Sequence, residues 1–472
     1  MLAIQAQPPD RTRSGTDNMG NLLRPTALTN AEGRSATIVE LAEQLRRREI
    51  TAEELTRRCL AQIAAEDATL HAWVLVDEVG ALEQARRCDQ ELTRGIDHGW
   101  LHGIPVGVKD IIDVAHWPTR AGVEHADAEP RQEDAFVVQR LRQAGAVLLG
   151  KTVTTPYAAF DPPPTRHPWL PGRTPGGSSS GSAVAVARGM CYAALATQTG
   201  GSITRPAAYC GVASFKPTFG RVSLRGVYPF APHLDHVGGM ARSVSDLALL
   251  FAVIAGYDPH DPWCVNLPVP SVEELRQGKS QPPRLGLIPG PWEERLETVM
   301  QEALQAACRA WQSRGAVIRT LEPPAAFGEV LSRHRTIMAV EAAAFHEEQL
   351  RARPQAYPRK ITALLEEGLR TPGPEYVRCR QHQERLRWEM VKCFTEVDVL
   401  ITPAAPGPPP PADTTGDPCC NAPWSYLGYP TISFPIASSP QNEPLAVQLV
   451  GRPFCEPALF SCAIWCEQAL LA

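Results

Sequence analysis

The stretch Gly176–Ala207, GGSSSGSAVAVARGMCYAALATQTGGSITRPA, constrains this chain more than any other. It sets two serine positions among glycines, the triplet Ser178–Ser179–Ser180 and the single Ser202, and joins them by small apolar residues. Glycine beside serine lets the chain take positive φ and lets backbone N–H groups approach a reacting atom. A hydroxyl surrounded by such N–H groups is the raw material of an acyl-transfer site, nucleophile plus oxyanion hole.

Around this stretch, short apolar strands alternate with amphipathic helices. T-I-V-E at 37–40 and T-A-E-E at 51–54 read as capping boxes that start two helices, and a third covers 79–94. Strands are expected in 101–114, 146–149, 212–216, 222–224, 284–288, 316–320, 398–406, 432–436 and 446–450. Helices are expected over 134–145, 243–256, 294–314, 337–398 and 457–471. That alternation points to an α/β fold: one large domain over 35–472, a central mixed, twisted sheet flanked by helices on both sides. Residues 1–34, polar and irregular with four arginines and three acids, read as a flexible N-terminal extension.

Composition removes several function classes. The net charge of −5 with both signs interspersed leaves no nucleic-acid footprint. No apolar run of about eighteen residues exists, so no membrane helix is expected. Thirteen cysteines without a C-x-x-C pair, several in apolar helical stretches, fit a reducing, cytoplasmic setting better than a disulfide framework.

Two formal motif matches mislead. GAVLLGKT at 145–152 satisfies the P-loop pattern, but its central residues, Ala146–Leu149, read as a buried strand whose amides are already paired. GSSSG at 177–181 satisfies the nucleophile-elbow pattern around Ser179, yet a proline- and glycine-rich loop precedes it where a strand is required. His233 and His236 have metal-like spacing without an accompanying carboxylate or cysteine set.

Lys109 is the one lysine in the apolar run LHGIPVGVKDIIDV. Desolvation disfavours its charged form. A fall of roughly three units from about 10.4, worth about 4 kcal/mol, would make it a base near neutral pH. The plainer alternative is an ion pair with Asp110 or Asp113 at a strand end.

Together, G-V-K-D at 107–110, P-G-G-S-S-S-G-S at 175–182 and T-G-G-S-I at 199–203 resemble the amidase signature family. H-G-I-P-V, F-K-P-T-x-G (215–220), M-A-R-S-V-S-D (240–246), N-A-P-W (421–424) and Q-L-V-G-R-P (448–453) extend the likeness over roughly residues 36–472. The resemblance implies hydrolysis of a carboxylic amide to acid and ammonia or amine through an acyl-enzyme. Ser202 corresponds to the nucleophile, Lys109 to the general base, and Ser178, with its cis peptide bond, to the bridging serine that relays the proton. Backbone N–H groups of Thr199, Gly200, Gly201 and Ser202 correspond to the oxyanion hole, and Gln198 and Ser179 are expected to border the substrate.

No metal or organic cofactor is implied; the partner is a small-molecule amide, with a homodimer left open. Gln198 stands where the widespread form of the family has Asp, and Thr204 where it has Arg, the arginine following at Arg205. That pattern resembles a bacterial amidase subgroup and counts against the main alternative, the amidase-like component of a tRNA-dependent amidotransferase. A urea-type amide hydrolase is the other. Arg173 and Lys216 are expected to orient loops in preference to a substrate carboxylate, and Asp417 and Asn421 to shape turns.

Overall fold

The computed structural model describes residues 36–123 and 129–471. The expected extension over 1–34 lies outside the described residues. Among the described residues, eleven strands form one mixed sheet in the order β1 (Trp73–Val76), β3 (Val147–Thr152), β2 (Pro105–Lys109), β4 (Ala193–Gln198), β6 (His236–Ala241), β5 (Ala213–Lys216), β10 (Thr431–Ser438), β11 (Pro444–Val450), β9 (Val399–Pro403), β7 (Arg284–Leu287) and β8 (Val317–Thr320). Its central members are β2 (Pro105–Lys109), β4 (Ala193–Gln198), β6 (His236–Ala241) and β5 (Ala213–Lys216), and every residue in them is buried. Strands buried on both faces require cover on both faces. The helices Ser180–Ala187, Thr204–Tyr209, Val244–Ile254, Thr298–Ser313 and Glu456–Leu471 supply it by packing against the sheet. The outermost strands, β1 (Trp73–Val76) and β8 (Val317–Thr320), are partly exposed, as sheet edges are.

Both capping boxes form. Thr37 and Thr51 each accept from the backbone N–H three residues on, and Glu40 and Glu54 reach back. Ser243 caps Val244–Ile254 through the Asp246 N–H at 3.1 Å.

The structure corrects some expectations. Strand β2 stops at Lys109, because the N–H groups of Ile111 and Ile112 fold back onto the Lys109 carbonyl. Residues 222–224 form no strand. The long helical region becomes three helices, Val330–Ala352, Arg359–Arg370 and Gly373–Met390, divided at Pro354, Pro358 and Pro372 where the missing N–H ends each run. Strand β6, HVGGMA, is an addition, since paired glycines weaken a strand pattern. Here they let neighbours in: a Cβ on Gly238 would lie 2.1 Å from the Phe215 carbonyl oxygen, and one on Gly239 2.2 Å from Leu250 Cδ2. No described helix is long and apolar enough to cross a membrane.

Candidate active site

Strands β2 and β4 run parallel side by side, pairing Val106 with Ala193 and Val108 with Leu195. Their carboxyl ends therefore open at the same place, where α/β sheets commonly build sites. Lys109 ends β2 and is fully buried; its Nζ lies 2.7 Å from Ser178 Oγ and 2.8 Å from Thr197 Oγ1 of β4. The ion-pair alternative does not form. Asp110 pairs with Lys151 at 2.8 Å, and Asp113 with Arg131 at 3.0 Å. Burial pushes the Lys109 ammonium well below the ordinary lysine value, and the Asp235 carboxylate opposes only part of that.

The Gly177–Ser178 peptide bond is cis. The carbonyl of Ser178 accepts from the Thr155 N–H at 3.2 Å, and the Ser179 N–H reaches the Ser202 carbonyl at 3.3 Å. Both serine segments thus meet over the end of β4, with Ser178 buried and Ser202 partly open.

The loop between β4 and the helix Thr204–Tyr209 is clamped from several directions. Gln198 Oε1 accepts from the Ile203 N–H at 2.9 Å and the Thr204 N–H at 3.0 Å, while its Nε2 donates to Ser425 Oγ at 3.1 Å. Ser425 Oγ in turn donates to the Gly200 carbonyl at 2.9 Å. His334 Nε2 donates to the Thr199 carbonyl at 2.9 Å; burial lowers this histidine's pKa to about 4, so the ring is neutral. Thr199 Oγ1 donates to Asp235 at 2.5 Å. Gly201 has no room for a side chain, since a Cβ would sit 2.6 Å from Asn421 Oδ1. Among the described residues, the N–H groups of Thr199, Gly200, Gly201 and Ser202 meet no acceptor. Four consecutive free amides held on a rigid loop can take up a developing negative charge.

The structure places Gln198 and Ser179, the two residues expected beside the substrate, inside the protein. Both are buried, Gln198 on the loop contacts just given and Ser179 Oγ against the Thr197 carbonyl at 3.3 Å. Their polar atoms are already used by the protein. Gln198→Ala is accordingly expected to strand two buried N–H groups and cost roughly 3 kcal/mol in chemical denaturation. The same variant should lower kcat about a hundredfold through loop displacement. Gln198→Glu keeps the acceptor oxygen and should cost about 1 kcal/mol.

The remaining candidates have structural roles. Lys216 Nζ donates to the carbonyls of Pro217 and Tyr429, Arg173 pairs with Glu443, and Asp417 pairs with Arg295 at 2.8 Å. His233 faces Glu341 and His236 faces the Leu234 carbonyl, so the two histidines share no ligand space. Arg205 is buried and donates to the Gly177 carbonyl at 2.8 Å, tying the helix after Ser202 to the segment before Ser178. Residues 147–152 of the false P-loop are strand β3, buried throughout.

Thr197, Asp235, His334 and Ser425 have no signal in the sequence. Each acts through a partner brought in by the fold.

The family model for the amidases matches residues 54–460. The AmiD protein of Mycobacterium tuberculosis is 34% identical over 447 residues, covering 89% of this chain and 91% of its own. A glutamyl-tRNA(Gln) amidotransferase component from a Synechococcus strain is 33% identical over 473 residues, covering 92% and 96%. The crystal structure of the peptide amidase of Stenotrophomonas maltophilia superposes with a TM-score of 0.81 at 31% identity, covering 93% of this chain and 97% of that one. Matches of this length and identity, on a sheet that brings the family's motif positions to one strand end, establish that this chain belongs to the amidase signature family and is an amide-hydrolysing enzyme.

Proposed function

We propose that the chain cleaves the C–N bond of a small carboxylic amide through an acyl-enzyme on Ser202. Lys109, in its neutral form, takes a proton through Ser178 as Ser202 Oγ attacks the carbonyl carbon. The carbonyl oxygen becomes an oxyanion held by the N–H groups of Thr199, Gly200, Gly201 and Ser202. Collapse expels the amine, which receives the proton back through Ser178; water then repeats the sequence to release the acid. The observation that carries this reading is the Lys109–Ser178 contact of 2.7 Å at a lysine without a carboxylate partner. An amine kept neutral by burial is the base such a relay needs.

A reducing, cytoplasmic setting is part of the proposal, supported by thirteen unpaired thiols. Substrate selection is assigned to the region 257–400. That region supplies one wall of an open groove of about 510 Å³, the helix face bearing Tyr376, Arg380 and Glu384, with His233 from outside it on the other side. His233 is two residues from Asp235, which holds Thr199.

The test is ammonia release from a panel of aliphatic, aromatic, peptide and urea-like amides, combined with a fluorophosphonate that should form a covalent adduct at Ser202. No ammonia from any amide and no adduct would defeat the reading. The second reading, a component of a tRNA-dependent amidotransferase, is favoured by the 33% identity to the Synechococcus protein. It requires partner chains, and co-purification with them at fixed stoichiometry would support it.

A further inference from the structure

The helix Glu78–Thr93 presents Cys88 and Glu91, three positions apart, on one face. The following loop turns at Gly95, Gly99 and Gly103, all with positive φ, and folds His98 and His102 back over the helix end. Cys88 and His102 are buried, and Glu91 is half-buried between them and solvent. One ligand atom from each of Cys88, Glu91 and His102 falls within 4.8 Å of the others. Glu91 Oε2 lies 3.1 Å from His102 Nε2 and 3.4 Å from Nε2 of His98, a partly exposed side chain at the rim. A thiol, an imidazole and a carboxylate thus converge on one small volume, with the His98 imidazole on the outer side of Glu91. The five-residue strand β2, roughly 16 Å long, separates it from Lys109.

We propose that Cys88, Glu91, His98 and His102 form a structural site for a divalent metal ion of the zinc type. Mixed sulfur, nitrogen and oxygen donors in a four-ligand set suit zinc, which imposes no strict geometry of its own. Hard cations such as magnesium or calcium would be rejected by the thiol and imidazoles.

Binding has a defined proton balance. Without metal, His102 Nδ1 accepts the His98 backbone N–H at 3.2 Å, so its ring proton sits on Nε2 toward Glu91. With metal on Nε2, that proton moves to Nδ1, which faces Asp97 Oδ1 at 3.8 Å. A carboxylate behind a ligating histidine is the usual second partner of such sites. The His98 amide then turns outward as its side chain moves in. The Cys88 thiol releases its proton to solvent, so one proton leaves per metal bound. The bound ion would tie the loop 94–104 to the helix Glu78–Thr93 and raise thermal stability by mass action.

The test titrates the metal-free full chain with Co²⁺, a spectroscopic stand-in for Zn²⁺. The expected result is one Co²⁺ per chain with a near-ultraviolet thiolate-to-cobalt charge-transfer band. Cys88→Ser should abolish that band. His98→Ala, at the exposed rim and therefore safe for folding, should weaken binding about tenfold or more. Zn²⁺ should raise the melting temperature of the wild type and not of Cys88→Ser, while amide hydrolysis stays unchanged in His98→Ala. Absence of the charge-transfer band, or Co²⁺ binding of equal strength in both variants and the wild type, would overturn the proposal and leave a Glu91–His102 hydrogen bond beside a thiol that donates to the Gly145 carbonyl.

Discussion

Ser202→Ala is expected to lower kcat for amide hydrolysis by roughly 10⁵-fold or more while leaving the melting temperature within a few degrees of wild type. The residual rate would be that of an oxyanion loop without a nucleophile. The loop should survive, because its fixed points are Gln198, Ser425, His334 and Asp235, and none of them holds the Ser202 hydroxyl. Ser178→Ala should fall nearly as far. Groups that act as one relay are strongly non-additive, so Ser178→Ala/Ser202→Ala should be little worse than Ser202→Ala alone. Ser180→Ala serves as the control inside the same triplet. Its hydroxyl makes only a 3.4 Å contact with Thr165, so its loss should cost about 1 kcal/mol or less and leave kcat nearly unchanged. Steady-state kinetics with any turned-over amide decide the matter. Near wild-type turnover in Ser202→Ala would remove it as the nucleophile, and a dead Ser180→Ala would move the chemistry into the triplet.

How much of the fold and site is legible in the sequence depends on the range of each interaction. The capping boxes at Thr37 and Thr51 are complete within four residues, and both form as expected. Strand β3 is legible through the false P-loop, since Ala-Val-Leu-Leu cannot form a solvated phosphate cradle. Strand β6 is not, because its glycines answer to Phe215 and Leu250, which only the fold brings near. The site divides in the same way. Lys109, Ser178 and Ser202 are visible because unusual chemistry sits in unusual local sequence. Whether Lys109 pairs with Asp110 is hidden, because the answer rests on Lys151, a residue forty-one positions from Asp110 that takes that carboxylate. The hold on Gln198 is hidden as well, because its partner Ser425 is 227 positions away. The amide side chain proves to be a brace for the loop, and the neutral Thr204 beside it needs no opposite charge.

Lys109→Met should abolish turnover to a similar degree, and its pH dependence carries more information than its size. The neutral amine is the active form. In the wild type, kcat/KM should therefore rise tenfold per pH unit up to the pKa of Lys109 and level off above it. Burial is the larger influence on that pKa and pushes it down, so the plateau should begin well below the pH at which an ordinary lysine loses its proton. The Asp235 carboxylate works the other way by favouring the ammonium. Asp235→Asn removes that charge while keeping an acceptor for Thr199, so the acid limb should move to lower pH. A limb that stays fixed would mean that Lys109 is not the titrating base.

Stability separates the same idea from simple damage. Because folding depresses the pKa of Lys109, the unfolded chain binds more protons than the folded one at every pH between the two values. Below the unfolded value of about 10.4, lysine burial thus costs stability, and the cost shrinks as pH rises. Methionine fills similar volume without that penalty, although Ser178 and Thr197 lose a partner. Lys109→Met should then melt no lower than wild type at pH 7, and its stability should vary less with pH across the alkaline range. An inactive variant that is as stable as its parent places the loss in the chemistry. A variant that melts far lower would instead make Lys109 a structural residue, and the relay would need another base.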